Sequence, residues 1–506
     1  MSLIDKAIGI FSPKAELERV KFRRAIKAYE ATNPSRTHKA NRERRTANQL
    51  TDISALSLRE QARYLDNNND IVIGVLDKLE ERVVGHRGII VDPQPLLKDG
   101  TVATDFAAQI RSKWREWSVS PDVTGQYTRP MLERLMLRSW LRDGEVFAQL
   151  IKGRVSELKP VAGVNFWIEA LEADYVPLDR NDDNSRLKQG VYHNKWGRPT
   201  GYMVYEILPA IGLKTGKTKK VDAESMLHIK HVRRLHQVRG HSLLAGVLKR
   251  LAALKDYEDY ELIAAKIAAA LGMYIKKGEG ADYDESSREK EERELDIVPG
   301  IIFDDLRAGE DIGMIKSDRP NPNLEAFRSG QLRAASSGVR VSYSAMSRNY
   351  DGSYSAQRQE LVEATDGYNI LQDWFIGSYT RPLYRQWLQM AVLSGAISVP
   401  GEVDKSSLMN AVYSGPVMPW IDPAKEANAW KQRIRGGSAT EAEWIKASGN
   451  SPAEVKRQRA AEIKENKELG LVFDTDPAND KGGSNESAQK EEREDDEQTS
   501  KRSNQK

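Results

Sequence analysis

Apolar positions along this chain change their spacing several times, and the changes divide it. From Ser57 the pattern is helical: Leu65, Ile71, Val75, Leu79 and Val83 supply the apolar positions, Ser57 and Glu60 form a capping box, and Gly85 ends the run. A short strand, GIIVD, and a Pro/Gly turn follow. Next come a helix carrying Trp114 and Trp117 three residues apart and another over 129–142 that stops at Asp143-Gly144. A β-rich stretch then runs through VFAQLI, FWIEALEADYVP, GVYHNKWGRPTGYMVYEI and SMLHIKHV. Helices followed by strands in this order predict an α+β unit.

The second half is dominated by helices. Residues 242–272 predict one long helix, alanine-rich in its C-terminal half and so suited to close helix packing. MYIKKG, the charged run ADYDESSREKEERELD, and short strands in IVPGIIF and GEDIGMIK come next. Pro320 and Pro322 bracket the start of a helix that reaches about Val341. YSAMSRNYDGSYSAQRQ (343–359) then interrupts the helical pattern with small, polar and tyrosine residues. A further helix from about Ser355 to Leu393 carries Trp374, Phe375, Tyr379, Tyr384 and Trp387, and Arg381-Pro382 should kink it. Short helices close the ordered pattern, with Ser438/Glu441 and Ser451-Pro452/Glu454 as their N-terminal caps. Beyond about Asp474 almost nothing is apolar, which predicts a disordered tail. At the other end, Ser12-Pro13 opens a helix over 13–31, and basic residues continue to Arg45 as a positively charged arm.

Composition narrows the chemistry. The chain has 506 residues, 39% of them hydrophobic, and a mean hydropathy of −0.61, which suggests elongated or solvated parts rather than one large globule. Lys and Arg total 77 against 74 Asp and Glu, so net charge singles out no partner. The absence of cysteine excludes disulfides, thiolate metal sites and cysteine nucleophiles. MSLIDKAIGIFSPKAE lacks the pattern of a signal peptide, and no apolar run approaches the ~20 residues of a membrane span, so a protein kept in solution on the cytoplasmic side is expected.

The motifs that suggest catalysis fail on spacing or context. GLKTGKTKK resembles a phosphate-binding loop, but Gly212 and Gly216 are separated by three residues rather than four, and a strand-like VDAESMLHI follows where a helix is required. A basic hairpin turn fits better. His228, His231, His236 and His241 cluster, yet Lys230, Arg233, Arg234 and Arg239 interleave with them and the stretch holds no carboxylate, so a basic surface or intersubunit segment is expected instead of a metal site. Asp182-Asp183 and Asp304-Asp305 fall in turn-like sequence. No nucleophile elbow or HExxH helix is present. These observations favour a structural or binding protein that is not an enzyme and needs no cofactor.

Six stretches, in order, carry a resemblance: SLREQARYLDNNNDIVIGVLDKLEERVVGHRGI, LRDGEVFAQL, NKWGRPTGY, HQVRGHSLLAGVLKRLAALKDYEDYELIAAKIAAALG, YSAMSRNYDGSYSAQRQELVE, and IRGGSATEAEWIKASGNSPAEVKRQRAAEIKENKELGLVFDTDP. From about Arg36 to Pro477 the chain resembles the portal proteins of tailed double-stranded DNA bacteriophages of the lambda type. That resemblance implies a virion component at one capsid vertex, assembled in the host cytoplasm: a ring, usually of twelve identical subunits, through which double-stranded DNA passes without sequence readout. It implies as partners a terminase large subunit, head-tail connector or adaptor proteins, and the major capsid protein or a scaffold, with no membrane.

The portal fold carried onto this chain gives a basic N-terminal arm (1–50), an α+β wing (51–241) and an antiparallel helical stem (242–272 and 321–342) around a small α/β clip (273–320). A channel loop (343–355), a long kinked helix (356–398), a helical crown (399–473) and the tail (474–506) follow. In the loop, Arg348, Asn349, Tyr350 and Ser353 are candidates to meet DNA. On the second stem helix Arg328, Arg333 and Arg340 are candidates by spacing only, and for each of these arginines and for Arg348 the alternative is an intersubunit or surface ion pair. In the clip, Asp284, Arg288, Lys290, Glu291 and Arg293 are candidates for docking terminase or connector. Two other classes stay open at this level, a packaging ATPase component and a monomeric basic-armed nucleic-acid-binding protein. ATP hydrolysis would favour the first, and a stable monomer with tight DNA binding the second.

Overall fold

The computed structural model describes residues 42–208, 216–269, 273–277, 310–314, 323–418, 423–450 and 452–473, with Lys14, Glu18 and Lys39 besides. Most of the helix expected over 13–31, the glycine loop 212–216 apart from Gly216, Asp304-Asp305, the five clip candidates and the tail from 474 lie outside these residues.

The first helical run begins earlier than the apolar spacing suggests and is two helices. Helix α1 (Ala47–Asn68) is capped by Thr46, whose hydroxyl accepts from the Gln49 amide while the Gln49 side chain accepts from the Thr46 amide. Ser57, the expected cap, lies mid-helix, where its hydroxyl meets the Gln61 side chain. Asn69 is extended and caps α2 (Asp70–Val83) by accepting from the Val72 amide. After β1 (Ile90–Pro93) come α3 (Thr104–Trp117) and α4 (Arg129–Asp143).

Strands β2 (Glu145–Lys152) and β3 (Phe166–Glu172) begin the sheets. β4 (Leu187–Lys188), β5 (Val191–His193), β6 (Pro199–Tyr205) and β7 (Thr218–Asp222) form a four-stranded antiparallel sheet in that order. β8 (Met226–Lys230) returns beside β2, giving a three-stranded antiparallel sheet β3-β2-β8. From Gly216, the first described residue of the phosphate-loop-like segment, the chain leads into strand β7 and not into a helix.

Beyond the sheets, a 3-10 turn (Leu243–Gly246) precedes α5 (Leu248–Ala269), so the single helix expected from 242 is broken at its start. β9 (Met273–Lys277) and β10 (Glu310–Met314) pair antiparallel. Then follow α6 (Leu324–Val339), α7 (Tyr343–Ser347), α8 (Tyr354–Phe375) and α9 (Arg381–Leu393). Between α8 and α9 the expected kink takes the form of a π-helical turn, Ile376–Thr380. Pro382 offers no amide hydrogen and its ring crowds the carbonyl four residues back, and the wider turn accommodates both. β11 (Ala411–Ser414) pairs with β1. Three helices end the described chain: α10 (Pro423–Arg435), α11 (Glu441–Ala447) and α12 (Pro452–Glu468). Helix α11 is capped by Thr440 with Glu443, two residues beyond the expected Ser438 pair.

Aromatic side chains join the two halves. Trp114 lies 4.8 Å from Trp387 and 5.6 Å from Tyr384 between ring centres, both edge-on, and stacks on Trp117 at 4.9 Å. Helix α9 therefore packs into the core built by α3 and β3, although nearly 270 residues of sequence separate its aromatic side chains from Trp114 and Trp117.

A buried charge organises the α+β part. Glu145, at the first position of β2, is 0% exposed. It accepts from Arg239 Nε at 2.9 Å through both oxygens, from Arg59 Nη2 at 3.1 Å and from the Gly240 amide at 3.0 Å. His228 Nε2 lies 3.0 Å away. Burial pushes the Glu145 carboxyl up, but Arg239 and the His228 bond outweigh it and hold the group well below the usual carboxylate range. An ionised carboxylate only accepts, so His228 Nε2 carries the hydrogen. Arg239, also 0% exposed, spends its remaining donors on the Gln189 and Ala173 carbonyls. Outside this centre Arg59 and Arg63 both hold Asp174, Arg63 and Arg142 hold Asp143, and Arg138 bridges Asp66, Asp77 and Glu80.

The expectation of a basic surface over 228–241 is therefore corrected for most of the stretch. His228, His231 and Arg239 are inside; Glu145 supplies the anion for His228 and Arg239, and His231 faces the His241 carbonyl. Two glycines allow the approach. A side chain at Gly144 (φ +93°) would overlap the His241 backbone, and one at Gly240 would overlap the Gly144 carbonyl.

Two outcomes follow from this centre. Glu145→Gln leaves the buried Arg239 guanidinium without its anion and Arg59 with Asp174 alone, and should cost about 3–5 kcal/mol, seen as a lower urea midpoint, whereas Gly144→Ala should yield insoluble chain. Burial also pushes His228 and His231 down to about 4. Below the ordinary histidine value near 6.5 the unfolded chain takes up protons that the folded chain refuses. The histidine contribution should thus be lost as pH drops from about 6.5 to about 4, and below that the depressed carboxylates Glu145 and Asp174 continue the fall. Thermal midpoints across that window check this, and His228→Gln should flatten the slope.

Candidate nucleic-acid interface

Helices α5 and α6 run antiparallel. Arg250 meets Gln331, Arg328 Nε meets Glu258 at 2.5 Å, and the Tyr257 and Phe327 rings lie 5.1 Å apart. Next to this pair the chain makes a compact turn. The loop expected over 343–355 is shorter than its composition suggests, because its first five residues form α7 and Tyr354 already belongs to α8. Ser342 caps α7 through the Ala345 amide, and Ser353 caps α8 through the Ala356 amide. Glu360 on α8 accepts from both the amide and the hydroxyl of Ser344. The Tyr343 hydroxyl bonds Ser329 Oγ at 3.1 Å, and Met346 is buried. Only residues 348–353 lie outside regular structure.

The four arginine candidates divide into two kinds. Arg328 is held by Glu258, and Arg333 lies 4.9 Å over the Tyr343 ring, so both are committed within the chain. Arg340 and Arg348 are exposed, end α6 and α7 respectively, and form no ion pair among the described residues. Both sit at left-handed backbone angles, φ +59° and +56°, where glycine would be easier to place. Of the other loop candidates, Asn349 accepts from the Asp351 amide at 2.8 Å and so shapes the turn. Tyr350 is 56% exposed, with its carbonyl held by Gln357. Ser353 is a helix cap.

A hollow of about 260 Å³ opens beside the turn, lined among others by Lys78 and Arg82 of α2, Tyr350, and Tyr354, Arg358 and Tyr368 of α8. Burial raises the Tyr368 hydroxyl above its ordinary value, so it stays protonated. Lys78, Arg82 and Arg358 were not among the sequence candidates. The four-residue spacing of Lys78 and Arg82 places them on one helix face, but nothing in the sequence says that this face meets α8. Among the described residues no cluster of His, Asp and Glu could hold a metal ion, and no helix is long and apolar enough to cross a membrane.

The family model described as phage portal protein, lambda family, matches residues 33–372, from ahead of α1 to near the end of α8. A probable portal protein of Halomonas phage phiHAP-1 is 23% identical over 436 residues, covering 82% of this chain and 81% of the relative. Portal protein B of Escherichia phage lambda is 20% identical over 405 residues, covering 73% and 75%. Among solved structures, the neck of an empty GTA particle computed with C6 symmetry aligns with 80% of this chain and 99% of its own, at 13% identity and a TM-score of 0.46. The matched span contains the Glu145 centre, the α5–α6 pair and the turn after it, and the chain belongs to the lambda family of phage portal proteins.

Proposed function

We propose that copies of this portal protein assemble into a ring at one capsid vertex, that double-stranded DNA passes through its centre, and that residues 340–353 are where each copy meets the DNA. The observation that carries this is the pair Arg340 and Arg348, exposed cations without an ion pair among the described residues, set on either side of α7. A left-handed arginine costs about 1 kcal/mol relative to glycine, so the side chain at each position is kept against a local preference. The turn is braced by Glu360, Ser342 and Ser353, so its cations are presented on a firm base.

Two such cations per copy on this turn also suit a moving polymer. Each neutralised phosphate adds to a salt-dependent grip, and a channel rich in unpaired arginine would hold DNA rather than pass it. Phosphate contacts of this kind carry no sequence information. Pairing of β9 with β10 brings Lys277 opposite Glu310 and makes residues 278–309 an insertion between α5 and α6. Its charged run supports assigning it the docking of the terminase large subunit and the head-tail connector. The capsid protein or scaffold would be met elsewhere on the ring.

Arg348→Gly separates a DNA contact from a structural role. It should leave ring formation intact in negative-stain images, keep or slightly raise the thermal midpoint, and lower the yield of packaged DNA several-fold. Normal packaging would remove Arg348 from the channel, and loss of rings would make the turn an interface between copies. Arg328→Ala should behave oppositely, lowering stability by roughly 0.5–1 kcal/mol with packaging close to normal.

A further inference from the structure

A second surface shares no residue with the turn after α6. The hairpin between β5 and β6 ends in Asn194-Lys195-Trp196-Gly197, and the loop after β8 ends in Arg234-Leu235-His236. Between them lies a groove of about 850 Å³. Trp196 on one lip is 80% exposed and Leu235 on the other 90%. Five cations line the groove, Arg186, Lys188, Lys195, Lys230 and Arg234, against one carboxylate, Asp183. None of the five forms an ion pair among the described residues. Lys230 donates to the carbonyls of Gln237 and Val238, and Arg234 to that of Arg45.

The groove is built in advance. Asn48 at the start of α1 donates to the His236 carbonyl and accepts from the Val238 amide, and its own carbonyl accepts from Gln189. With Lys230 this fixes both ends of the loop that carries Leu235. Little order has to be imposed when something binds.

We infer that this groove docks a segment of another polypeptide that is acidic and carries at least one large apolar side chain. Charge complementarity chooses the acid: five cations that form no ion pair among the described residues, against one carboxylate, favour an anionic occupant in a concave site. The exposed tryptophan and leucine choose a polypeptide over nucleic acid. An aromatic residue and arginines around a concave apolar contact are the usual anatomy of a protein interface. The rigid phosphate rails of a duplex would pass over a hollow that flexible Asp and Glu side chains can enter, and they offer Leu235 nothing apolar. The volume falls in the range of preformed binding clefts.

The test is selection of a displayed library of random dodecapeptides on the purified full-length protein, followed by affinity measurement for the enriched peptides and for a 20-base-pair DNA duplex. The expected result is enrichment of peptides that combine Asp or Glu with Leu, Phe or Trp. Their binding should weaken with salt, fall at least about ten-fold with Lys195→Glu/Arg234→Glu, and fall measurably with Leu235→Ser, which alters no charge. Circular dichroism of each variant confirms folding. The proposal is overturned by the absence of enrichment, by enrichment that both variants leave unchanged, or by tighter binding of the duplex that the charge reversal abolishes. The last outcome would make the groove a nucleic-acid surface.

Discussion

One carboxylate, Glu145, is the fixed point around which the α+β part of this chain is arranged. It draws in a guanidinium from α1, a guanidinium and an amide from the segment before α5, and an imidazole from β8. Isolated in the interior, such a charge would be costly; here four donors converge on it, so the cost falls on any change that removes one. The same segment, Arg239-Gly240-His241, leads directly into the 3-10 turn and α5. The direction in which the helical pair leaves the sheets is therefore set at the Glu145 centre.

From there the functional argument is one of position. The α5–α6 pair is pinned by Arg328 and Glu258 and by Tyr257 against Phe327, and α7 is pinned to both α6 and α8. Arg340 and Arg348 thus stand on a short stretch between fixed elements, not on a long linker. On the proposed reading, these arginines, repeated in every copy of a ring, would form a band of charge able to attract a polyanion and sparse enough to let it slide.

Much of this was legible in the sequence because the pattern is local. The strands, the long helices, the irregularity near Pro382 and the turn after α6 follow from periodicity and from proline, glycine and serine placement. The differences have two causes. A serine and a glutamate stand at the spacing of a capping box at Ser57 and Glu60, but Thr46 and Gln49 satisfy the same rule earlier, where the same helix begins. The histidine- and arginine-rich stretch looked solvent-facing because its counter-charge lies 83 residues from His228. Ion pairs between distant segments leave no spacing to read. The fate of Arg328 and Arg333 was hidden for the same reason, since the glutamate and the tyrosine that hold them had no visible partner.

The central claim is that the turn carrying Arg340 and Arg348 faces DNA on the axis of a ring of these chains. A cryo-electron microscopy reconstruction of the portal vertex in DNA-filled particles tests it most directly. The account predicts a closed ring in which residues 340–353 of every copy make the nearest approach to axial duplex density. A ring in which that segment is buried between copies, away from the axis, would contradict it, as would a chain that stays monomeric.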